Sequence, residues 1–140
     1  MEQAIIIFTG IISALLTYII NNYLRQGAVR ASSGLSLIIG LFFYHFPDLL
    51  SDYLSKNIPL IFIGTTFIGM VSSNILHNYY LVGIAGLIFS LIYLNTGMFF
   101  QGYGGALGTT AAISVLVSLS LTLVANSKRI KKWKASGFSK

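Results

Sequence analysis

The chain has 140 residues, of which 55% are hydrophobic and 9% are charged, and its formal net charge is +6. A typical globular protein carries about 25% charged residues, so 3 acidic and 9 basic side chains are too few to cover a water-soluble domain of this size. The mean hydropathy of +0.80 agrees. The composition argues against a soluble enzyme, a nucleic-acid-binding domain and a disordered tail, and it predicts an all-α integral membrane protein.

Apolar runs of about twenty residues predict five membrane spans. They cover residues 4–24, 35–50, 58–76, 80–100 and 106–125. In the third span we expect Asn57 to cap the helix and Pro59 to lie in its first turn. Pro47 and Asp48 make the end of the second span ambiguous, because proline disfavours helical geometry in the residue before it. The alternative is therefore four spans with an interfacial segment.

The basic residues predict the orientation of these spans. Arg25 and Arg30 lie between the first two spans, and a basic run follows the fifth: Lys128, Arg129, Lys131, Lys132 and Lys134. With five spans both groups fall on the same side, which the positive-inside rule makes cytoplasmic. We expect the N-terminus outside and the C-terminus inside a bacterial cytoplasmic membrane. Residues 1–126 then form a single transmembrane domain, and residues 127–140 form a basic cytoplasmic tail.

Small and hydroxylated residues recur at helical spacing in the predicted spans. These stripes are Gly10, Ser13, Thr17 and Asn21 in the first span, Ser33, Ser36, Gly40 and Tyr44 in the second, Thr66, Ser73 and His77 in the third, Gly83, Gly86, Ser90, Tyr93 and Gly97 in the fourth, and Thr110, Ser114, Ser118, Thr122 and Asn126 in the fifth. Residues three and four apart share one helix face, so we expect the stripes to point inward. Two interpretations stay open: packing seams between helices, or the lining of a narrow hydrophilic path.

The order of motifs is compatible with a tandem repeat of a helical hairpin. Gly64-Thr65-Thr66 lies early in the third span, and Gly108-Thr109-Thr110 lies early in the fifth. A Gly-Leu pair precedes each of them, at Gly34-Leu35 and at Gly86-Leu87. The alternative is chance recurrence in a chain rich in Gly, Thr and Leu.

Titratable and glycine-rich positions supply few further candidates. His45 and His77 are the two histidines, each near a predicted membrane edge, and there is no cysteine. Gly102, Gly104 and Gly105 form a glycine turn before the fifth span, where exposed helix amides favour an anion or a carbonyl oxygen; the alternative is a tight turn without a ligand. We therefore expect no cofactor and no metal. One enzymatic alternative is left open, a lipid-directed reaction at the interface using His45, Asp48 or Asp52.

These patterns favour a small membrane protein that forms, as an oligomer, a passive pore or carrier for a small solute or ion. The residues expected to line the path are Thr65, Thr66, Thr109, Thr110, Ser114 and Ser118. The alternative is a structural or accessory subunit of a larger membrane complex. The expected partners are the lipid bilayer and either further copies of the chain or another membrane protein, without nucleic acid. Trp133 among the lysines of the tail indicates an anchor against anionic headgroups.

Overall fold

A computed structural model of the chain describes residues 1–96 and 104–137, with residues 125–137 described by their backbone alone. Five α-helices follow one another in this part of the chain: α1 Glu2–Asn22, α2 Ala28–His45, α3 Asp52–Gly69, α4 Tyr79–Thr96 and α5 Gly104–Gly137. A short 3-10 turn, Pro47–Leu49, joins α2 to α3. The described residues contain no strand, which confirms the all-helical prediction for them.

Hydrogen bonds at both ends place α1 and α3 parallel. Ser51, the residue before α3, donates to the Glu2 carboxylate at the start of α1, at 2.7 Å. At the other end, the Asn21 amide donates to the carbonyl oxygen of Met70, just after α3, at 3.1 Å. The two helices therefore begin side by side and end side by side.

The remaining helices alternate in direction around this pair. Three hydrogen bonds show that α2 and α4 run antiparallel to α3, and α5 antiparallel to α4: Ser32 with Thr66, Tyr93 with Asn57, and Ser118 with Leu81. All three acidic residues of the chain, Glu2, Asp48 and Asp52, consequently lie at one end of the bundle, which we call the acidic end. Arg25 and Arg30, between α1 and α2, lie at the opposite end, the basic end, and α5 continues past it.

Glycines let α1 approach α3 and α4 at backbone distance. A methyl group built at Gly69 of α3 would stand 2.7 Å from the carbonyl oxygen of Ala14 and 2.8 Å from the amide nitrogen of Tyr18. One built at Gly86 of α4 would stand 3.0 Å from the carbonyl oxygen of Gly10. Ser13, Ala14 and Thr17 of α1 are fully buried in the same region. The inward-facing stripe predicted for α1 is thereby confirmed.

Four helices are long and apolar enough to cross a membrane: α1, α2, α4 and the segment Gly104–Val124 of α5. The exception is α3, because its first turns carry Asp52, Lys56 and Asn57. Yet α3 packs against all four other helices, and Ile61, Thr65 and Ile68 on it are fully buried. The helix at the centre of the bundle is therefore the one that does not reach the hydropathy of a membrane span.

The structure corrects the predicted start of the third helix. Ser51 is the N-cap and accepts from the Leu54 amide at 3.5 Å, so Asn57 is no cap and Pro59 lies inside the helix. The helix ends at Gly69, and Leu76, the predicted end of the span, lies in the connection to α4. The prediction took the bounds of the apolar run as the bounds of the helix. This run leaves out the polar first turn of α3 and extends to Leu76, an apolar residue that lies outside the helix.

The same reason explains the other differences in helix bounds. The second helix begins at Ala28 instead of residue 35, because its first turns contain Arg30, Ser32 and Ser33. The fifth helix continues to Gly137 instead of ending at residue 125, since Lys, Arg and Ala in the tail are good helix formers. The predicted bounds of α1 and the start of α4 agree with the structure within two residues. Residues 97–103 lie outside the described part of the chain.

Substituting Gly69 by alanine tests the close approach of α3 to α1. The added methyl group would overlap backbone atoms of α1, so we expect Gly69→Ala to lower the free energy of unfolding by about 2 kcal/mol, a typical cost of overpacking. Gly34→Ala is the matched control, because a methyl group there meets nothing within 4 Å. It removes a helix-interior glycine and should be neutral or stabilising by up to about 1 kcal/mol. Denaturation in detergent micelles, followed by circular dichroism, measures both; equal stability of the two variants would contradict the packing.

Candidate functional site

The six residues predicted to line a path lie on two helices, Thr65 and Thr66 on α3 and the other four on α5. Five of them are buried, with exposed fractions of 0% at Thr65, Thr66, Ser114 and Ser118 and 4% at Thr110. Thr109 is exposed on the outer surface of the bundle. Since α3 and α5 pack against each other, the fold brings the two sets to neighbouring helices.

Each of the six hydroxyl groups has a hydrogen-bond partner. Those of Thr65, Thr109, Thr110 and Ser114 donate to carbonyl oxygens of their own helix, at 2.8–2.9 Å. The hydroxyl of Thr66 contacts the carbonyl oxygen of Ile63 at 2.6 Å and pairs with Ser32 of α2 at 2.8 Å. That of Ser118 crosses to the carbonyl oxygen of Leu81 in α4 at 2.8 Å.

The buried polar groups of the bundle are satisfied throughout the described residues, where no buried side-chain nitrogen or oxygen is without a partner. Ser13, like Ser118, donates across a helix contact, in this case to the carbonyl oxygen of Phe62 in α3 at 2.9 Å. In a membrane such bonds hold helices together and remove the cost of an unsatisfied polar group. These contacts are what the packing-seam interpretation requires.

The predicted inward stripes of α2 and α3 are wrong in part. Ser33 and Tyr44 of α2 are exposed, and the buried serine is Ser32, the neighbour of Ser33, which is not part of the predicted stripe. Ser73 and His77 lie beyond the end of α3, in its connection to α4. Spacing alone cannot fix which face of a helix is buried, because a shift of one residue rotates the face by about 100°.

A polar clamp at the basic end joins α1 to the connection between α3 and α4. The Asn22 amide donates to the carbonyl oxygen of Val71 at 3.2 Å and its oxygen accepts from the amide of Ser73 at 3.0 Å. The Tyr18 hydroxyl donates to the carbonyl oxygen of Leu76. The clamp satisfies carbonyl groups that follow α3, and it holds the connection against α1. The sequence signal that could have indicated it is the Asn21-Asn22 pair directly after an apolar run.

The two histidines lie at opposite ends of the bundle. His45 is the last residue of α2, exposed at the acidic end, with a ring nitrogen 3.2 Å from the carbonyl oxygen of Leu41 and its ring against Tyr44. His77 is exposed in the connection at the basic end. The structure therefore does not bring these two side chains together.

The glycine turn falls partly outside the described residues. Gly102 lies in the 97–103 segment, whereas Gly104 and Gly105 open α5 and are exposed, with nothing within 4 Å of a methyl group built on either. The two Gly-Thr-Thr segments differ in their surroundings. A methyl group at Gly64 would collide with the Phe89 ring at 2.3 Å, whereas one at Gly108 meets nothing within 4 Å.

An apolar groove lies between α3 and α5 and has a volume of about 400 Å³. Its walls are Phe67, Val71, Gly108, Ala111, Ala112, Val115 and Leu116. None of the six predicted lining residues borders it, although four of them directly adjoin residues that do: Thr66, Thr109, Thr110 and Ser114. The groove can therefore accept a hydrocarbon group, and it offers no polar side chain to a hydrated solute.

Comparison of the chain with protein-family models, with curated proteins and with solved structures gives no match. The functional argument therefore depends on the residues and contacts described above.

Ser118 and Ser120 form a matched pair for testing the seam. Ser118 is buried and bonds across to α4, whereas Ser120 is exposed and bonds only to Leu116 of its own helix. We expect Ser118→Ala to lower the free energy of unfolding by about 0.6 kcal/mol, the average for hydrogen bonds between membrane helices, and by about 1.7 kcal/mol at most. Ser120→Ala should leave it unchanged. Unfolding in mixed micelles measures both variants, and an unchanged Ser118→Ala protein would show that this bond does not stabilise the seam.

Proposed function

We propose that the chain is a five-span membrane bundle with its N-terminus outside and its C-terminus in the cytoplasm. The alternating directions of α1 to α5 support five crossings of the same layer. The charges support the orientation, because the basic end carries Arg25 and Arg30, and α5 leads into the five basic residues of the tail. The positive-inside rule assigns such an end to the cytoplasm.

The proposed count includes α3 as a span in spite of its lower hydropathy. Its charged first turn lies at the acidic end, where Lys56 pairs with Asp52 at 3.6 Å and both side chains are largely exposed. Its remainder, from Ile58 to Gly69, is apolar or hydroxylated and is surrounded by the other helices. A helix that is shielded by its neighbours needs less hydrophobicity than one that faces lipid all round.

Single cysteines test the proposed topology, and the chain has none of its own. In intact cells we expect Asp48→Cys to react with a membrane-impermeant maleimide. Gln26→Cys and Asn74→Cys should react only after permeabilisation, because both lie at the basic end. All three positions are exposed in connections or turns, so the substitutions are expected to leave the fold intact. Labelling of Asn74→Cys from outside would contradict the five-span orientation.

Within this topology we propose the role of a structural or accessory subunit of a larger membrane assembly. The observation that supports it is the state of the six hydroxyl groups, which are all engaged with backbone carbonyls and of which five are buried. A protomer with this interior stabilises itself and presents apolar faces to its surroundings. Such a protomer serves as a rigid helical element for a partner in the bilayer.

A second candidate function is passage of a small solute or ion between copies of the chain. The specific observation that favours it is the exposed start of α5, where Gly104, Gly105 and Thr109 face outward with open space around the glycines. If copies met along this surface, Thr109 would lie at their interface. A path there would use an exposed hydroxyl and leave the closed seams intact.

Reconstitution in liposomes separates the two proposals. For purified protein with a panel of cations, anions and small neutral solutes, we expect flux equal to that of protein-free vesicles. Ser114→Ala and Thr109→Val are the informative variants, one in the closed seam and one on the outer surface. Flux that Ser114→Ala abolishes would refute the accessory role and support a path inside the protomer. Flux that Thr109→Val reduces while Ser114→Ala does not would favour a path between copies.

A further inference from the structure

The connection between α3 and α4 is an irregular segment that α1 holds in place. It covers residues 70–78, and the polar clamp binds its backbone at Val71, Ser73 and Leu76. The Leu76 side chain is also fully buried. Six other side chains of the connection are exposed: Ser72, Ser73, Asn74, Ile75, His77 and Asn78. The connection therefore presents a fixed set of hydrogen-bonding groups at the basic end.

Two unpaired positive charges lie beside this connection. Arg25 follows Asn22 of the clamp by three residues. Arg30 precedes Ser32 by two residues, and Ser32 pairs with Thr66 in the last turn of α3. Both arginines are exposed, and neither guanidinium has a hydrogen-bond or ion-pair partner among the described residues. Since all three carboxylates of the chain lie at the acidic end, the chain itself does not neutralise this surface.

The backbone of Arg25 is left-handed, with a φ of 52°, which among the described residues no other non-glycine residue shares in sign. The amides on either side of it, those of Leu24 and Gln26, donate to carbonyl oxygens in the last turn of α1 at 3.2 and 3.4 Å. Glycine is usual at such a helix end, because a Cβ disfavours this conformation. A charge that served orientation alone would act equally well at Gln26, without this cost. The position of Arg25 therefore indicates a specific contact of its side chain outside the chain.

We propose that this surface, formed by Arg25, Arg30 and the clamped connection, docks an acidic segment of the partner protein in the membrane assembly. Guanidinium groups bind carboxylates through two parallel hydrogen bonds, and the exposed amide and hydroxyl groups of the connection supply further ones. An anionic headgroup in a fluid leaflet needs charge alone, whereas a connection that is already held in place lowers the entropy cost of binding a polypeptide. The inference rests on the accessory role proposed above and names the chemistry of the partner.

A reactive peptide tests the surface at a defined position, since the chain has no thiol of its own. The full chain with Asn74→Cys is placed in phosphatidylcholine nanodiscs and treated with a hexaglutamate peptide that carries a maleimide, or with its hexaglycine counterpart. We expect the acidic peptide to attach at least about five-fold faster, the factor of one exposed charge pair at its strongest. Asp48→Cys, exposed at the acidic end, is the control and should show no such preference.

Two further substitutions in the Asn74→Cys protein separate this surface from positive charge in general. Arg25→Gly removes the guanidinium and the left-handed arginine together, so it should reduce the preference by about three-fold and leave the protein at least as stable. Asn22→Ala opens the clamp without changing the charge, and it should also reduce the preference. Helix content and a single elution peak check that both variants fold.

Three results would each overturn the proposal. They are an acidic peptide that attaches no faster than the neutral one, a preference that folded Arg25→Gly or Asn22→Ala leaves unchanged, and a preference that phosphatidylglycerol in the nanodiscs abolishes. The last result would assign the surface to lipid headgroups. Solute flux in liposomes would refute the accessory role itself, and the peptide reaction is measured independently of that flux.

Discussion

The structure depends on the close approach of α1 to α3 and α4. In a bilayer the hydrocarbon surroundings are as apolar as leucine, so burial of apolar area gives helices little reason to associate. Dispersion contacts and hydrogen bonds must supply the attraction, and both require short distances. Gly69 and Gly86 permit those distances, since a methyl group at either would meet backbone atoms of α1 at 3.0 Å or less. The other helices are arranged around this core of three.

The same close contact explains what the hydroxyl groups do. Once α1 and α3 touch, the Ser13 hydroxyl reaches the carbonyl oxygen of Phe62, and the Asn22 side chain reaches the chain beyond α3. Ser118 and the Ser32–Thr66 pair repeat the arrangement at the outer contacts. These polar residues therefore join helices, and α3 can be less apolar than a membrane span requires because its neighbours surround it. The groove beside α3 is the place where such contact is missing.

Much of the fold follows from the sequence, and the site follows only in part. The apolar run of α1 predicts the helix within two residues, because only Glu2 and Gln3 of its first turn lie outside the run. The starts of α2 and α3 were missed because Arg30 and Asp52 lie in helical turns outside the apolar runs. The inward face of α1 was predicted correctly because its Gly, Ser and Thr stripe is long. The inward face of α2 was predicted incorrectly, because Ser32 and Ser33 are adjacent in the sequence. Only the tertiary contact of Ser32 with Thr66 determines which of the two is buried. The groove, which depends on how α5 is placed against α3, has no signal in either helix alone.

The central claim is that the hydroxyl stripes form closed contacts that exclude water. The most direct measurement is the reactivity of Ser114→Cys toward a small water-soluble thiosulfonate, with the protein in liposomes and Gln26→Cys as the accessible reference. Cysteine replaces serine with little change in volume, and the chain has no other thiol. We predict modification of Ser114→Cys at least about a hundred-fold slower than that of Gln26→Cys, since an opening that costs about 3 kcal/mol lowers the rate by this factor. Comparable rates at the two positions would show a water-filled path along α5 and contradict the account.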